Sequence, residues 1–378
     1  MRLSVVPADR SDLRHNSFDA MRLGLALAVV WSHAFALWHG SEDGEWISLL
    51  LGGVYNAGNL GVLGFFTISG FLIARSYVSS RSVLSYLRKR VSRIYPGYLA
   101  AVLICSLVVV PAYSSRPFGM VTGEELVGLT SNLLLKNYIV SSDAFGGGPV
   151  NGSLWSIPYE FWCYLGVIAL GLLGWLKRPF VAVTIAGVVM LVRSWLDWIH
   201  VTPGGYWIDA VIGYPYFWFI VLPSFLLGTA VFIHGERLPR NGWLLAGGST
   251  AAILLAHVLP RDPYAILVLR LLIPPLLAYA IFYLGFHPTC RLPHAARYGD
   301  FSYGAYLYAF PIQQMLVASL KGTIPFPAFV VLSLVLSVLA GVASWYLVEQ
   351  WFLPRVRRIQ AKPESSRPLE EEALLVAP

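Results

Sequence analysis

Charge is what this chain has least of. Of its 378 residues only 12% are Asp, Glu, Lys or Arg, where a soluble domain carries about a quarter. Stretches without a long apolar run are confined to the connection 113–152 and the tail after Trp351, and neither is long enough to bury a core of its own. Cysteine is equally scarce. Cys105, Cys163 and Cys290 show no redox or metal-ligand spacing, and the first two sit inside apolar runs where a thiol packs as a small hydrophobe. That excludes a disulfide framework, and no metal is expected. A cleaved signal peptide is also excluded, because the first apolar run begins near residue 23, follows Asp19 and Arg22, and is as long as a membrane span. An internal repeat is missing too, which argues against the inverted-repeat architecture of many transporters.

What remains is hydrophobic: 57% of the residues, with a mean hydropathy of +0.64. Segments of roughly 17 to 25 apolar residues recur near 18–38, 60–78, 94–112, 156–174, 179–195, 213–233, 243–259, 264–285, 301–319 and 326–351. The expected fold is therefore all-α, a polytopic membrane protein of about ten transmembrane helices. The basic residues then sort by side. Arg81, Arg88, Lys89, Arg90 and Arg93 share a side with the N-terminal and C-terminal arginines, whereas the opposite connections hold only Arg116, Lys136, Arg261 and Lys321. By the positive-inside rule both termini are cytoplasmic. The net charge of +7 is accounted for by topology, with membrane lipids as partners and no nucleic acid. Residues 1–17 form a cytoplasmic segment, 18–352 the transmembrane domain, and 353–378, with its Pro, Ser and Glu run, a disordered cytoplasmic tail. Within the 113–152 connection, ELVGLTSNLLLKNYIV is apolar enough to lie along or dip into the membrane surface.

Several polar groups sit where lipid tolerates few. Arg22 and His33 are eleven residues apart in the first span, about three helical turns, which puts both on one face roughly 16 Å apart. Ionisable groups at such depth cost at least about 2.5 kcal/mol each. They make a polar track unless Arg22 snorkels or pairs with Asp19. A neutral imidazole at His33 can take a hydroxyl proton, as a general base must, and Arg22 can hold a phosphate or carboxylate. In the second span Gly58, Gly61 and Gly64 recur every third residue ahead of FFTISGF, a pattern suited to close helix packing. The following SYLRKRVSRIYP places Arg90 and Arg93 one turn apart, able to grip a phosphorylated cofactor or to anchor anionic lipid. Glu160 opens the fourth span among aromatics, as acid, base or ion-pair partner of Arg193 or Arg270. Glu349 faces the basic tail and can neutralise it.

Taken in order, FDAMRLGLALAVVWSHA, FFTISGFLI, RKRVSRIYP, GSLWSIPYEFWCY, FSYGAYLYAFPI and YLVEQWF resemble the acyltransferase-3 family of bacterial integral-membrane O-acyltransferases over residues 17–352. The resemblance implies transfer of an acyl group, commonly acetyl, from cytoplasmic acyl-CoA to a hydroxyl on a surface or exported glycan, in the bacterial inner membrane. It implies a catalytic role for His33 with Arg22 as partner, a site that includes Phe65, Phe66, Ser69 and Gly70, the cytoplasmic pair Arg90 and Arg93 with Arg22 on the acyl-CoA phosphates, and a recurrent acidic position at Glu160. Many members have a histidine before Phe-Pro where this chain has Ala309, so a second imidazole is not available there. Two alternatives stay open: an O-acyltransferase acting on a small molecule or lipid, and a proton-coupled transporter or flippase in which His33, Glu160 and Arg270 form a relay. A donor with a free carboxylate would want an extra cation such as Arg270.

Overall fold

A computed structural model describes residues 4–7, 13, 16–114, 131, 135, 144–146, 149–178, 180–205, 207, 209–287 and 298–353. The described residues form no strand beyond two isolated bridges, and helices account for about four fifths of them. In chain order the main helices are α1 (Phe18–His39), α2 (Trp46–Leu50), α3 (Ala57–Val78), α4 (Val83–Ile104), α5 (Ser156–Leu172), α6 (Val181–Trp198), α7 (Pro215–His234), α8 (Gly242–Val258), α9 (Pro263–Gly285), α10 (Phe301–Leu320) and α11 (Phe326–Ser344). The apolar stretch 125–140 falls almost wholly outside the described residues, and the tail after Leu353 does entirely.

Seven of these helices are long and apolar enough to cross a membrane: α1, α3, α4, α6, α7, α9 and α11. Together with the chain's long apolar composition they make it a multi-pass membrane protein. The other three expected spans are helical as well, and each differs from the seven for a visible reason. α5 and α8 have 17 residues each, at the short end for a bilayer core of about 30 Å. α10 has 20 residues but carries Ser302, Tyr303, Tyr306, Tyr308, Gln313 and Gln314, all turned into the protein. It is an enclosed helix, so its polar groups face partners instead of lipid.

The third expected span starts earlier than its apolar run does. α4 begins at Val83, passes through a π-helical turn at Cys105–Val109 and reaches Tyr113 as one rod of 31 residues. Its first three turns therefore carry Arg88, Lys89, Arg90 and Arg93 on the same rigid element as the span. α11 ends likewise in a π-helical turn, Trp345–Glu349.

Polar side chains punctuate these elements. Asn56 and Asn59 form a reciprocal capping box at the start of α3, and Ser82, Asn241, Asp262 and Asp300 each accept a backbone N–H at the starts of α4, α8, α9 and α10. Each side chain satisfies an end group that has no partner within its helix.

α3 is the most enclosed of the seven spans and lies against both α1 and α7. Its glycine pattern explains the contact with α1: a methyl at Gly61 would come within 2.8 Å of the Leu25 carbonyl. The crossing with α7 is tighter and reciprocal. A Cβ at Gly70 would stand 1.9 Å from the Phe225 carbonyl oxygen, and one at Gly228 would stand 1.9 Å from that of Thr67. Backbone touches backbone, as small residues allow in lipid, and Thr229 donates to the Gly70 carbonyl at 3.3 Å. Neither helix has a flexible side chain to move aside. Gly228→Ala should therefore destabilise the protein by about 1–3 kcal/mol or more, read as a lower unfolding temperature in detergent. Gly247→Ala, where no atom lies within 4 Å, should leave that temperature unchanged.

Candidate active site

Asp300 precedes α10, and its carboxylate does three jobs. Oδ1 caps the helix, accepting from the Ser302 backbone at 3.3 Å and the Ser302 hydroxyl at 2.5 Å. Oδ2 accepts from Arg22 of α1 and from Arg93 of α4. Arg93 reaches further, with Nη1 3.3 Å from Oε2 of Glu349, whose other oxygen takes the Ser344 hydroxyl at 2.8 Å. The π-helical turn at the end of α11 presents Glu349, only 2% exposed, to this arginine. Two arginines and two carboxylates thus tie four helices together. Asp300 is the carboxylate in ion-pair contact with Arg22, and Asp19, one turn before Arg22, adds a smaller electrostatic attraction. Sequence reading missed Asp300, although an aspartate directly before FSYGAY is an N-cap signal.

The ion cluster floors a cavity of about 90 Å3 lined by Arg22, Phe65, Phe66, Ser69, Arg90, Arg93, Ser156, Glu160, Tyr164, Tyr303 and Tyr306 among others. Five helices contribute to it. Glu160 Oε1 accepts from Ser69 at 2.8 Å and from Tyr164 at 2.7 Å, which joins α3 to α5. It does not pair with Arg193 or Arg270, because both of those meet Asp197. Arg90 differs from its neighbours. It makes no ion pair among the described residues, lies 6.0 Å from the ring centres of Tyr86 and Tyr164, and has a buried Nε without a hydrogen bond. Arg93 is committed to two carboxylates, so Arg90 is the cation better placed to accept an incoming anion.

Two expected site residues lie elsewhere. Gly70 does not line the cavity; it is spent on the α3–α7 crossing described above. His33 does not line it either. Tyr306 marks the upper end of the cavity, hydrogen-bonded to Ser156 at 2.7 Å, and Phe310, one helical turn further along α10, meets the His33 ring edge-on at 5.2 Å. His33 Nδ1 is buried with no hydrogen-bond partner. At the same level Gln313 donates to the Val30 carbonyl at 2.8 Å and leaves its own Oε1 buried and unpartnered. The α1–α10 seam therefore holds an imidazole nitrogen and an amide oxygen, both without a hydrogen-bond partner. A hydroxyl compound can supply one.

Just beyond this seam the loop after α1 folds back over it. Glu45, 1% exposed, accepts from Trp31 Nε1 at 3.0 Å and from the backbone of Ser48 and Ala57. Glu42 accepts from Asn56 and, at 3.5 Å, from Ser32, and burial pushes its carboxyl above the usual range against those hydrogen bonds. The acidic run SEDGE was the only sequence sign of this roof.

The transporter relay of His33, Glu160 and Arg270 is not assembled: the three lie in the seam, the cavity and a separate cluster. Arg270 is accordingly not at hand for a carboxylated donor in the Arg22 cavity.

Comparison with known proteins decides the family, since the acyltransferase domain model matches residues 15–346. The chain belongs to the acyltransferase-3 family. Among curated acyltransferase-3 relatives it is 26% identical over 355 residues to an O-acetyl transferase of Shigella phage Sf6, covering 90% of this chain and 97% of that protein. It is 27% identical over 371 residues to Nodulation protein 10 of Rhizobium leguminosarum bv. viciae, with 90% and 94% covered. A shorter match, 30% over 154 residues, covers 40% of this chain and 38% of Acyltransferase MdmB of Streptomyces mycarofaciens. No solved structure matches the chain. The protein is an O-acyltransferase enzyme of this family.

Asp300 sets the pH behaviour of the cluster. Burial alone would raise its pKa, but the Arg22 and Arg93 guanidiniums and the Ser302 hydrogen bonds hold it well below the usual carboxylate range. A depressed acid contributes stability that is present above its unfolded pKa of about 3.9 and is lost as pH falls below that value. Unfolding temperature should thus be insensitive to this group from about pH 5 upward and fall under acid. Asp300→Asn should cost about 3 kcal/mol at neutral pH, because it strands two arginines, and should abolish that acid dependence.

Proposed function

We propose that this enzyme moves an acetyl group from cytoplasmic acyl-CoA to a hydroxyl of a surface or exported glycan, across a ten-span domain (residues 18–352) with both termini in the cytoplasm of the bacterial inner membrane. The observation that carries this reading is the convergence of Arg22, Ser69, Arg90, Arg93 and Glu160, from four family motifs, on one cavity whose upper end adjoins His33. The likeness to an O-acetyl transferase supports acetyl as the group moved.

The residues fit an anionic donor. Arg90 supplies an uncommitted guanidinium, and Arg22 and Arg93 lie beside it in a partly dehydrated setting where charge-assisted hydrogen bonds to phosphate are strong. Acyl-CoA supplies the activated thioester. The protein's part is to hold that donor at the basic end, to exclude water with Phe65, Phe66, Tyr303 and Tyr306, and to set His33 to take the acceptor's proton. His33 can alternatively carry the acyl group itself. Tyr306 and Phe310 stand between cavity and imidazole, so a turn of these rings is the step that joins donor to base. Ser69 and Tyr164 orient Glu160 next to the reacting region.

Purified protein in nanodiscs, given acetyl-CoA and a glycan acceptor and followed by thiol release, tests the reading. His33→Ala should lower turnover by about 10²- to 10⁴-fold, the usual worth of a general base, while eluting as folded protein. Arg90→Ala should instead raise KM for acyl-CoA about tenfold, the loss of one charged hydrogen bond, with kcat largely kept. Full turnover in the His33 variant would sink the assignment. Proton-coupled transport without thiol release would point to the transporter instead.

A further inference from the structure

A second cationic cluster lies outside the acyltransferase cavity. α6 and α9 bring two guanidiniums onto one carboxylate: Arg270 donates to Asp197 Oδ2, and Arg193 Nε lies 3.7 Å from the same oxygen. Tyr216 donates to the other oxygen of Asp197, and the Tyr55 hydroxyl is within electrostatic reach of all three charged groups. One negative charge therefore serves two positive ones. On the cavity side, the Arg270 Nε and the Ser194 hydroxyl are buried with no hydrogen-bond partner. Donors stripped of water and left unmatched are costly, and arginines within a span mark sites where a counter-charge is used.

The cluster opens on a cavity of about 640 Å3, far larger than the one at Arg22, whose lining includes Ser194, Asp197, His200, Arg261 and Arg270. Asp262, the acid nearest in sequence to Arg261, is engaged at the start of α9 through Ala265 N. At the rim, His200 and Arg261 hold φ of 55° and 62°, a left-handed backbone that costs a non-glycine residue energy and concentrates at functional sites. The position in the bundle is also informative. Tyr216 opens α7, whose far end packs with Val6 and Phe18 at the start of α1, so the cavity lies at the opposite end from Asp300 and Arg93. Its mouth is flanked by Trp198 and Tyr264, 49% and 65% exposed and in ring contact at 5.2 Å, the residues that settle at headgroup level in a bilayer.

We propose that this cavity binds the phosphate group of a lipid in the leaflet opposite the Arg88–Arg93 end, with Arg270 and Arg261 of its lining as the anion-holding cations and Asp197 as the carboxylate that the phosphate displaces from Arg270. The planar guanidinium fork matches phosphate oxygens in pairs, and the aromatic mouth admits a headgroup from the side. A soluble anion shares the chemistry but has no use for a mouth at lipid level.

Binding is measured with no acyl donor present, so its result does not depend on the acyl-transfer reading. Full-length protein in detergent is titrated with phosphatidic acid, phosphatidylcholine and inorganic phosphate and read by native mass spectrometry. Wild type should retain one phosphatidic acid in preference to phosphatidylcholine. Arg270→Gln should weaken that binding about tenfold, and Asp197→Asn, which frees the Arg270 guanidinium, should strengthen it. If Arg270→Gln fails to fold, the sign of the Asp197→Asn change decides. Equal binding by the variants and wild type would overturn the site, assigning the lipid to another surface. Displacement of phosphatidic acid by equimolar inorganic phosphate would overturn the lipid as its source.

Discussion

The structure depends on one carboxylate held between two arginines. Asp300 ends the described connection before α10, and by taking Arg22 and Arg93 on one oxygen it fixes the starts of α1, α4 and α10 against each other. In lipid there is little hydrophobic force between helices, so polar contacts and close packing carry the specificity of assembly. The carboxylate, 15% exposed, is sheltered enough for the attraction to be strong and open enough to escape the full cost of burying a charge. Glu349 extends the same network to α11.

A consequence is that the cations of the cavity are not equivalent. Arg22 and Arg93 are structural and electrostatic at once, and any anion they help to hold competes with Asp300 for them. Arg90, packed between two tyrosine rings, is the one whose hydrogen-bonding capacity is unspent. The split of labour continues along the bundle: charge at one end, a hydroxyl-lined middle at Ser69, Ser156, Tyr164 and Tyr306, and a neutral, proton-poor seam at His33 and Gln313. That gradient suits a reaction whose donor is highly charged and whose acceptor is a neutral hydroxyl, because each is met by the environment that costs it least desolvation.

The Arg22 cavity and the Asp197 cluster solve the same problem at opposite ends. Both place more than one arginine against a carboxylate inside a span. At Asp300 the surplus is balanced by Glu349; at Asp197 no second acid among the described residues lines the cavity. The difference in charge balance, more than the difference in volume, separates a closed structural tie from an open anion site.

Much of this was legible in the sequence alone. Apolar runs and scarce charge determine an all-helical membrane protein, because lipid demands that every backbone group be satisfied within its own segment, and the ordered motifs determine the family. Of the residues that line the cavity, Arg22, Arg90, Arg93 and Glu160 were also visible, since a buried ionisable group stands out against lipid-soluble neighbours, whereas Phe65, Phe66 and Ser69 came from the family resemblance. Only the tertiary structure decided the partners. Arg22 pairs with Asp300, Glu160 accepts from Ser69 and Tyr164 in place of pairing with Arg193 or Arg270, and Glu349 turns into the protein on a π-helical turn. Gly70 packs against Phe225, and His33 sits a turn above the cavity behind Tyr306 and Phe310. Each of these joins residues far apart in the chain, and nothing in the local pattern of a helix records which neighbour its polar face will meet. Periodicity says that a face is buried; helix crossing angles and contacts say against what.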